Sequence, residues 1–566
     1  MNPSKPRASQ QLRALWLVPV LVVLVAAALR FPGLADKPLH SDEGVNGWFT
    51  LRLHWWNLYR YRPSDYHGPF LYYVNLLFVR MLGPGEVALR AGTALAGAVL
   101  PLTLLPLRRY LGQAGLVCAG LLYACSPTMV YFARTNIHET YLLLGTVIWL
   151  AGIARYSAAP AMRWSVLAAS GAALSFVNKE TALITAGSLA AGLGLAWLLG
   201  RAQPGGLSLD DPDLFGGRSR RAALRSWFRG RWRMLAAGGA LFAAVVIAFF
   251  SSFLSWFPGV LGFFEAFVHW VDYGLSGRNQ IKDWTYFLEQ MLETDGVLVV
   301  GASAAAGLWA LWSRHRFGLL LLGWLAGSAA AYSLLPYKTP WCGLNVELPM
   351  LLLSGWGVGQ LWLSARDCVL SPAARILALA AVLCLLVASV PLYQESAQVN
   401  RQGFDDDEHS YVFVQTQRDY YEFLQDLFGV GDQVFALEGR RPRVVNVDPK
   451  NPTRWYTVTR GWDYDSRDYL NGKLPDPERL ETAEVVLSTG PRASQLAQLL
   501  ADTPGESWHS QIYDLRPGVR LWAWFRADHW AAYLGAGGRS ASPWPRPPGE
   551  SIYRPPLPRK YRKPAR

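Results

Sequence analysis

The feature that most constrains this chain is a series of apolar runs, each about fifteen to twenty-five residues long, recurring from Leu15 to Leu392. A run of that length crosses the hydrocarbon core of a bilayer as a helix, and a water-soluble core has no use for so many in succession. Composition agrees: 51% of residues are hydrophobic, and the 25 Trp and 25 Tyr suit the membrane interface, where amphipathic rings are favoured. The net charge of +13 invites a nucleic-acid partner, but its distribution argues against one. Much of the arginine excess lies in short loops, as in Arg201–Arg233 with Arg218, Arg220, Arg221, Arg225, Arg229 and Arg231 between its ends. Cytoplasmic loops of membrane proteins accumulate such residues, so no nucleic acid is expected. The five cysteines, Cys118, Cys125, Cys342, Cys368 and Cys384, show neither metal-ligand nor disulfide spacing. Leu15–Leu29 with Ala26-Ala27-Ala28 resembles a cleavable signal, yet the many spans behind it point to a retained first helix.

Topology decides which side chains can meet. With Lys5, Arg7 and Arg13 in the cytoplasm, a first helix at 14–31 carries His40-Ser41-Asp42-Glu43 outside. The next clear span, 86–107, ends in Arg108-Arg109 and runs inward. Val45–Tyr59 and Gly68–Leu82 therefore read as amphipathic helices in the outer interface. Further spans fall at 113–132, 140–155, 163–178, 181–200, 234–257, 296–313, 317–335, 346–364 and 376–393, giving about eleven helices. Acidic residues before Tyr393 gather mainly in the outward loops, which places the chemistry on that side. After Tyr393 the composition turns polar. Alternation at Tyr411–Val414, Gln433–Ala436 and Ala483–Leu487 suggests short strands, and Arg418–Phe428 and Ser494–Leu500 suggest helices. The expected organisation is a transmembrane domain over 1–393, a small extracytoplasmic α/β domain over 394–535 and a Pro-rich basic tail over 536–566.

Five outward segments carry candidate chemistry. Asp42-Glu43 precedes an interfacial helix whose dipole favours a carboxylate; a simple helix cap by Ser41 or Asp42 is the structural alternative, which does not explain why acids recur in the other outward loops. Asp65-Tyr66-His67-Gly68-Pro69 offers an imidazole for metal or phosphate, or an ordinary turn. The loop Tyr131–Glu139 brings Arg134, His138 and Glu139 together. Arg134 suits a phosphate, and an Arg134–Glu139 pair is the structural alternative. Asn178-Lys179-Glu180 and Tyr337-Lys338-Thr339-Pro340-Trp341 set lysines at the same face, where an ionisable residue beside an apolar span is costly unless it has a role. Acceptor activation needs a carboxylate base, and a departing phosphate needs cations or a metal.

On these residues the chain resembles the GT-C superfamily of membrane glycosyltransferases. It is most similar to the flippase-associated archaeal N-glycosylation proteins and related to protein O-mannosyltransferases and the lipid A aminoarabinose transferase. The resemblance rests on His40–Gly44, Tyr66–Tyr73, Ala133-Arg134…Glu139, Phe176–Glu180 and Leu335–Trp341, with Tyr411–Gln415 and Tyr513–Gly518 behind them. It implies a multi-pass cell-membrane enzyme. Such an enzyme moves a sugar from a polyprenyl-phosphate donor to a glycan, lipid or protein acceptor on the extracytoplasmic side. Asp42 then falls on the catalytic base and Glu139 on the second acid, with Glu43 beside them. Lys179 falls near the lipid phosphate, joined by Arg134, His138 and Lys338, and His67 on a metal- or phosphate-contacting position. A divalent metal ion stays open, with Glu43, His67 and Glu139 as its candidate ligands. Two departures mark the chain: Glu139 is longer than the usual Asp, and Gly277–Tyr286 only faintly resembles the His-containing outward loop of the aminoarabinose transferase. The same family name also fits a non-catalytic helper of lipid-sugar translocation. A transporter is disfavoured by the lack of an inverted repeat.

Overall fold

The computed structural model describes residues 8–64, 67–201, 220–275, 280–367, 370–448, 451–466, 473–490, 492–503 and 507–541. Asp65, Tyr66, most of the 201–233 loop before Arg220 and the Pro-rich segment beyond Ala541 lie outside the described residues. The chain divides into two compact units, one of Met1–Pro32, Tyr59–Leu71 and Thr93–Gln402, the other of Gly33–Leu58, Tyr72–Gly92 and Gly403–Arg566.

The first unit is helical. Its long helices are Ala8–Arg30, Arg108–Cys125, Glu139–Ala158, Met162–Asn178, Ala182–Leu199, Arg220–Phe250, Gly296–Ser313, Arg316–Leu334, Leu344–Arg366 and Pro372–Arg401, joined by most of Glu86–Thr103. They coincide, within a few residues at most ends, with the runs read as spans. By length and apolar composition, seven helical stretches among the described residues are able to cross a membrane. Small residues let these helices close. Gly355 and Gly359 form a Gly-x-x-x-Gly pair facing Leu111 and Gly115. A Cβ on Gly359 would lie 1.9 Å from the Leu111 carbonyl oxygen, and one on Gly115 2.4 Å from that of Gly355. Without a hydrophobic drive between helices in lipid, such close backbone approach is what holds them together.

Two helices in this unit fall where the sequence suggested only an outward loop, Pro258–Leu275 and Tyr286–Thr294. The first buries Gly259, Gly262, Phe263 and Ala266 while Leu261, Phe264, Val268 and Val271 stay exposed. Glu265 and Asp272 interrupt its apolar pattern, so a search for continuous apolar runs passes over it.

The second unit combines a five-stranded sheet with helices from both ends of the chain. The strands are β1 Arg443–Asn446, β2 Asp463–Asp465, β3 Val485–Thr489, β4 Trp508–Arg516 and β5 Val519–Arg526, in the order β2-β1-β3-β5-β4. β1 pairs in parallel with β2 and β3, whereas β5 runs antiparallel to β3 and β4. Period-two alternation splits the sheet into two faces. Val444, Val485, Leu487, Ala523 and Phe525 pack with the helix Asp419–Glu438, and Val445, Val486 and Trp524 pack with Ala493–Ala501. The first core also takes in Leu39, Leu51, Trp55 and Leu89, so the helix Ser41–Trp56 belongs to the body of this unit. Gly44 and Gly47 permit that approach: a Cβ on Gly47 would meet the Trp455 ring at 2.6 Å.

Two expected strands are absent. Gln433–Ala436 is the last part of the Asp419–Glu438 helix, whose Tyr420, Phe423, Leu424, Leu427 and Val434 sustain a helical period that four alternating residues cannot override. Tyr411–Val414 forms a turn, with Val414 at φ +50°.

Candidate active site

The residues singled out by sequence divide between the two units. Asp42 and Glu43 lie in the second, and His67, Arg134, His138, Glu139, Lys179 and Lys338 lie in the first.

In the second unit, His40 caps the helix Ser41–Trp56. Its Nδ1 accepts from the Asp42 backbone N–H at 3.1 Å, while Glu43 Oε2 accepts from the His40 N–H at 2.9 Å, a reciprocal capping box. The adjacent carboxylates then part company. Glu43 is fully buried and engaged by Arg90, whose Nε and Nη2 donate to its two oxygens at 2.7 and 2.6 Å. The same guanidinium donates to the carbonyls of Leu34, Lys37 and Pro38, tying the whole entry loop to one side chain. Burial alone would raise the Glu43 pKa, but Arg90 outweighs it and holds the carboxyl down at about 2. Asp42 keeps 35% of its side chain exposed, with His40 Nδ1 3.9 Å from its Oδ2. It also acts electrostatically on the half-buried Arg516, whose pKa burial lowers against the Asp42 charge.

In the first unit three loops meet. The helix Glu139–Ala158 starts where Lys179 ends Met162–Asn178, and the two side chains form a buried ion pair. Burial works against the Lys179 charge, yet the Glu139 carboxylate beside it raises the ammonium pKa above its ordinary value. Asn178 Nδ2 donates to the His138 carbonyl at 2.7 Å, and the Gly68 N–H donates to the Asn178 carbonyl at 3.1 Å. The Gly68 carbonyl lies 3.3 Å from His138 Nε2. Gly68 admits no side chain, because a Cβ would lie 2.3 Å from the Val177 carbonyl oxygen. His67, thus positioned, pairs through Nδ1 with Glu180 Oε2 at 2.8 Å. It stacks on Trp270 at 4.7 Å and meets the His138 ring edge-on at 4.9 Å. Burial, then the neighbouring His67 and Lys179, pushes the His138 pKa well below the usual imidazole value.

Four of the sequence candidates therefore share one locus: His67, His138, Glu139 and Lys179. Arg134 turns its Nη1 to the carbonyls of Leu29, Arg30 and Pro32, capping the end of the helix Ala8–Arg30. Glu139 pairs with Lys179 rather than with Arg134. Lys338 donates from Nζ to the carbonyls of Lys282 and Leu335 at 3.0 and 2.6 Å. Sequence reasoning assigned no role to Arg90, Glu180, Trp270 or Arg516. A signal existed for Arg90, since an arginine one turn into an apolar helix demands a buried partner. Trp270 gave none, as its helix was unrecognised. Of the residues considered as metal ligands, Glu43 is engaged by Arg90, Glu139 by Lys179 and His67 by Glu180. No group of three or more His, Cys, Asp or Glu side chains gathers as a metal site among the described residues.

No protein-family model matches the sequence, and no curated protein matches it. Solved structures do. The chain is similar to ArnT from Cupriavidus metallidurans bound to undecaprenyl phosphate, at 18% identity and a TM-score of 0.57, over 90% of this chain and 98% of that one. The same protein in its apo state gives 17% identity and 0.56, over 90% and 97%. The archaeal oligosaccharyltransferase AglB from Archaeoglobus fulgidus, in complex with an inhibitory peptide and a dolichol-phosphate, gives 12% identity and 0.51, over 89% and 74%. At such identities the likeness is one of fold. The chain is a polytopic helical membrane protein of GT-C-like fold with a mixed α/β region toward its C-terminus.

Proposed function

We propose that this protein is a glycosyltransferase that moves a sugar from a polyprenyl-phosphate carrier to an acceptor hydroxyl on the extracytoplasmic side of the cell membrane. The observation that carries the reading is the division of labour between two neighbouring carboxylates. Glu43 is locked by Arg90, whereas Asp42 is partly exposed beside it on the same capped helix end. A base must reach its proton, and of the two only Asp42 is open to a substrate. The fold likeness adds support, since ArnT binds undecaprenyl phosphate and AglB a dolichol-phosphate.

In this reading Asp42 takes the proton of the acceptor hydroxyl. The hydroxyl oxygen bonds to the anomeric carbon as the carbon–oxygen bond to phosphate breaks. A single displacement of this kind inverts the sugar and releases the lipid phosphate. Lys179 meets the phosphate charge, Glu139 holds Lys179 in place, and the His67–Glu180 pair offers a further donor near it. Glu43, Arg134 and Lys338 fix the loops through carbonyls and a buried ion pair. Membership of the flippase-associated N-glycosylation family belongs to the same proposal.

The test is binding of undecaprenyl phosphate to the purified full chain, followed by native mass spectrometry in detergent. Wild type should retain the lipid, and Lys179→Gln should lose it at least about tenfold, as expected for a charge-assisted contact. Equal retention by both would overturn the assignment of Lys179. A helper of translocation would leave glycan output intact in Asp42→Asn but lose it on deletion. A transporter would show solute uptake in liposomes.

A further inference from the structure

Apart from that locus, the helical unit buries a second set of ionisable groups that no step above uses. Asp295 sits at the junction of the helices Tyr286–Thr294 and Gly296–Ser313. Glu347 lies in the first turn of Leu344–Arg366, and Ser126 at the break between Arg108–Cys125 and Pro127–Ala133. The two carboxyl residues are 4% and 2% exposed. Ser126 Oγ donates to one oxygen of Glu347, and Thr128 Oγ1 to the other at 2.5 Å. Two hydroxyl donors on two oxygens suit an ionised carboxylate.

Asp295 is served differently. Among the described residues, the Thr294 hydroxyl reaches its Oδ2 at 3.4 Å, and Oδ1 has no hydrogen-bond partner there. Burial, then the nearby Glu347, drives its carboxyl pKa well above the ordinary value, and Glu395 adds to the repulsion. The Ser126 hydroxyl lies close to Asp295 as well as to Glu347, linking the pair. Two helices, Arg108–Cys125 and Tyr286–Thr294, also end at these residues, bringing the negative ends of their dipoles with them. A buried carboxylate oxygen without a donor, a second carboxylate and two helix C-termini are all relieved by one positive charge. Interrupted helix ends are where membrane proteins hold small cations.

We propose that Ser126, Thr128, Thr294, Asp295 and Glu347 form a binding site for a hard cation, of the Na⁺, Mg²⁺ or Ca²⁺ class. The donors are all oxygen, carboxylate and hydroxyl, with no nitrogen or thiolate ligand to favour a transition metal. The site lies at helix junctions, so the bound cation ties together five helices of the bundle and stabilises their packing.

The test is thermal unfolding of the full chain, purified in detergent and stripped with chelator. NaCl is titrated against choline chloride at constant ionic strength, and MgCl₂ and CaCl₂ are titrated separately. At least one of the three should raise Tm along a saturating curve, since a ligand held by the folded state alone stabilises it by mass action. Asp295→Asn and Glu347→Gln should each lose that shift. If no cation moves the wild-type Tm, or if both variants keep the full shift, the proposal is overturned. A wild-type Tm that follows pH while ignoring all three cations would assign Asp295 a proton instead, and would equally overturn it.

Discussion

Replacing Glu43 with Gln removes one charge from the most tightly tied side chain in the second unit. Glu43 has an ordinary carboxyl pKa of 4.5 in the unfolded chain and about 2 in the folded one. At 1.36 kcal/mol per unit that difference is worth about 3 kcal/mol at neutral pH. Its sign follows from the depressed value: the contribution is complete above pH 4.5 and disappears as pH falls through 2. The variant also leaves Arg90 charged, fully buried and served by three carbonyls, a situation that costs roughly 3–5 kcal/mol. Both routes give a similar loss, which for a unit of this size lowers Tm by on the order of 10 °C. Intrinsic tryptophan fluorescence during heating reads it directly, since Trp55 and Trp455 lie in the same core. Asp42→Asn, one residue away and partly exposed, should shift stability by only about 0.5 kcal/mol. If Glu43→Gln melts with wild type at pH 7, the Arg90 pair is not what holds the entry loop.

Three further outcomes are expected. Gly68→Ala forces a methyl toward the Val177 carbonyl, so it should displace His67 and lower sugar transfer at least about tenfold while the protein still inserts in the membrane; radiolabelled product formation checks it. Glu139→Gln leaves Lys179 buried beside a neutral amide and should destabilise the first unit by about 3 kcal/mol, measured as a drop in Tm, with Glu139→Gln/Lys179→Met recovering part of it. Gly359→Leu should separate the helices Arg108–Cys125 and Leu344–Arg366, giving poor yield of monodisperse protein on size-exclusion chromatography.

The helical bundle was legible because lipid imposes a simple rule: an apolar run of fixed length is a span. The limits of that rule are equally physical. Pro258–Leu275 is a surface helix with charges along it, and a rule about continuous apolar runs cannot find it. Val434 and its neighbours alternate for four residues within a twenty-residue helix, and a window that short carries too little period to choose. At the candidate site, sequence grouped outward carboxylates with Arg134, Lys179 and Lys338 on one face, and of the candidates His67, His138, Glu139 and Lys179 do lie together. It could not divide Asp42 from Glu43, adjacent residues of the same charge. Their difference comes from Arg90, forty-seven positions further along for Glu43, and such a pairing is a product of tertiary packing. Nor could it foresee that Arg134 and Lys338 spend donors on main-chain carbonyls.

The most direct test is sugar transfer in membranes containing either wild type or Asp42→Asn, at matched amounts of protein with matched melting curves. Loss of a general base predicts a rate reduced about 10²–10⁴-fold with the lipid carrier still bound. Transfer at the wild-type rate by folded Asp42→Asn would contradict the account.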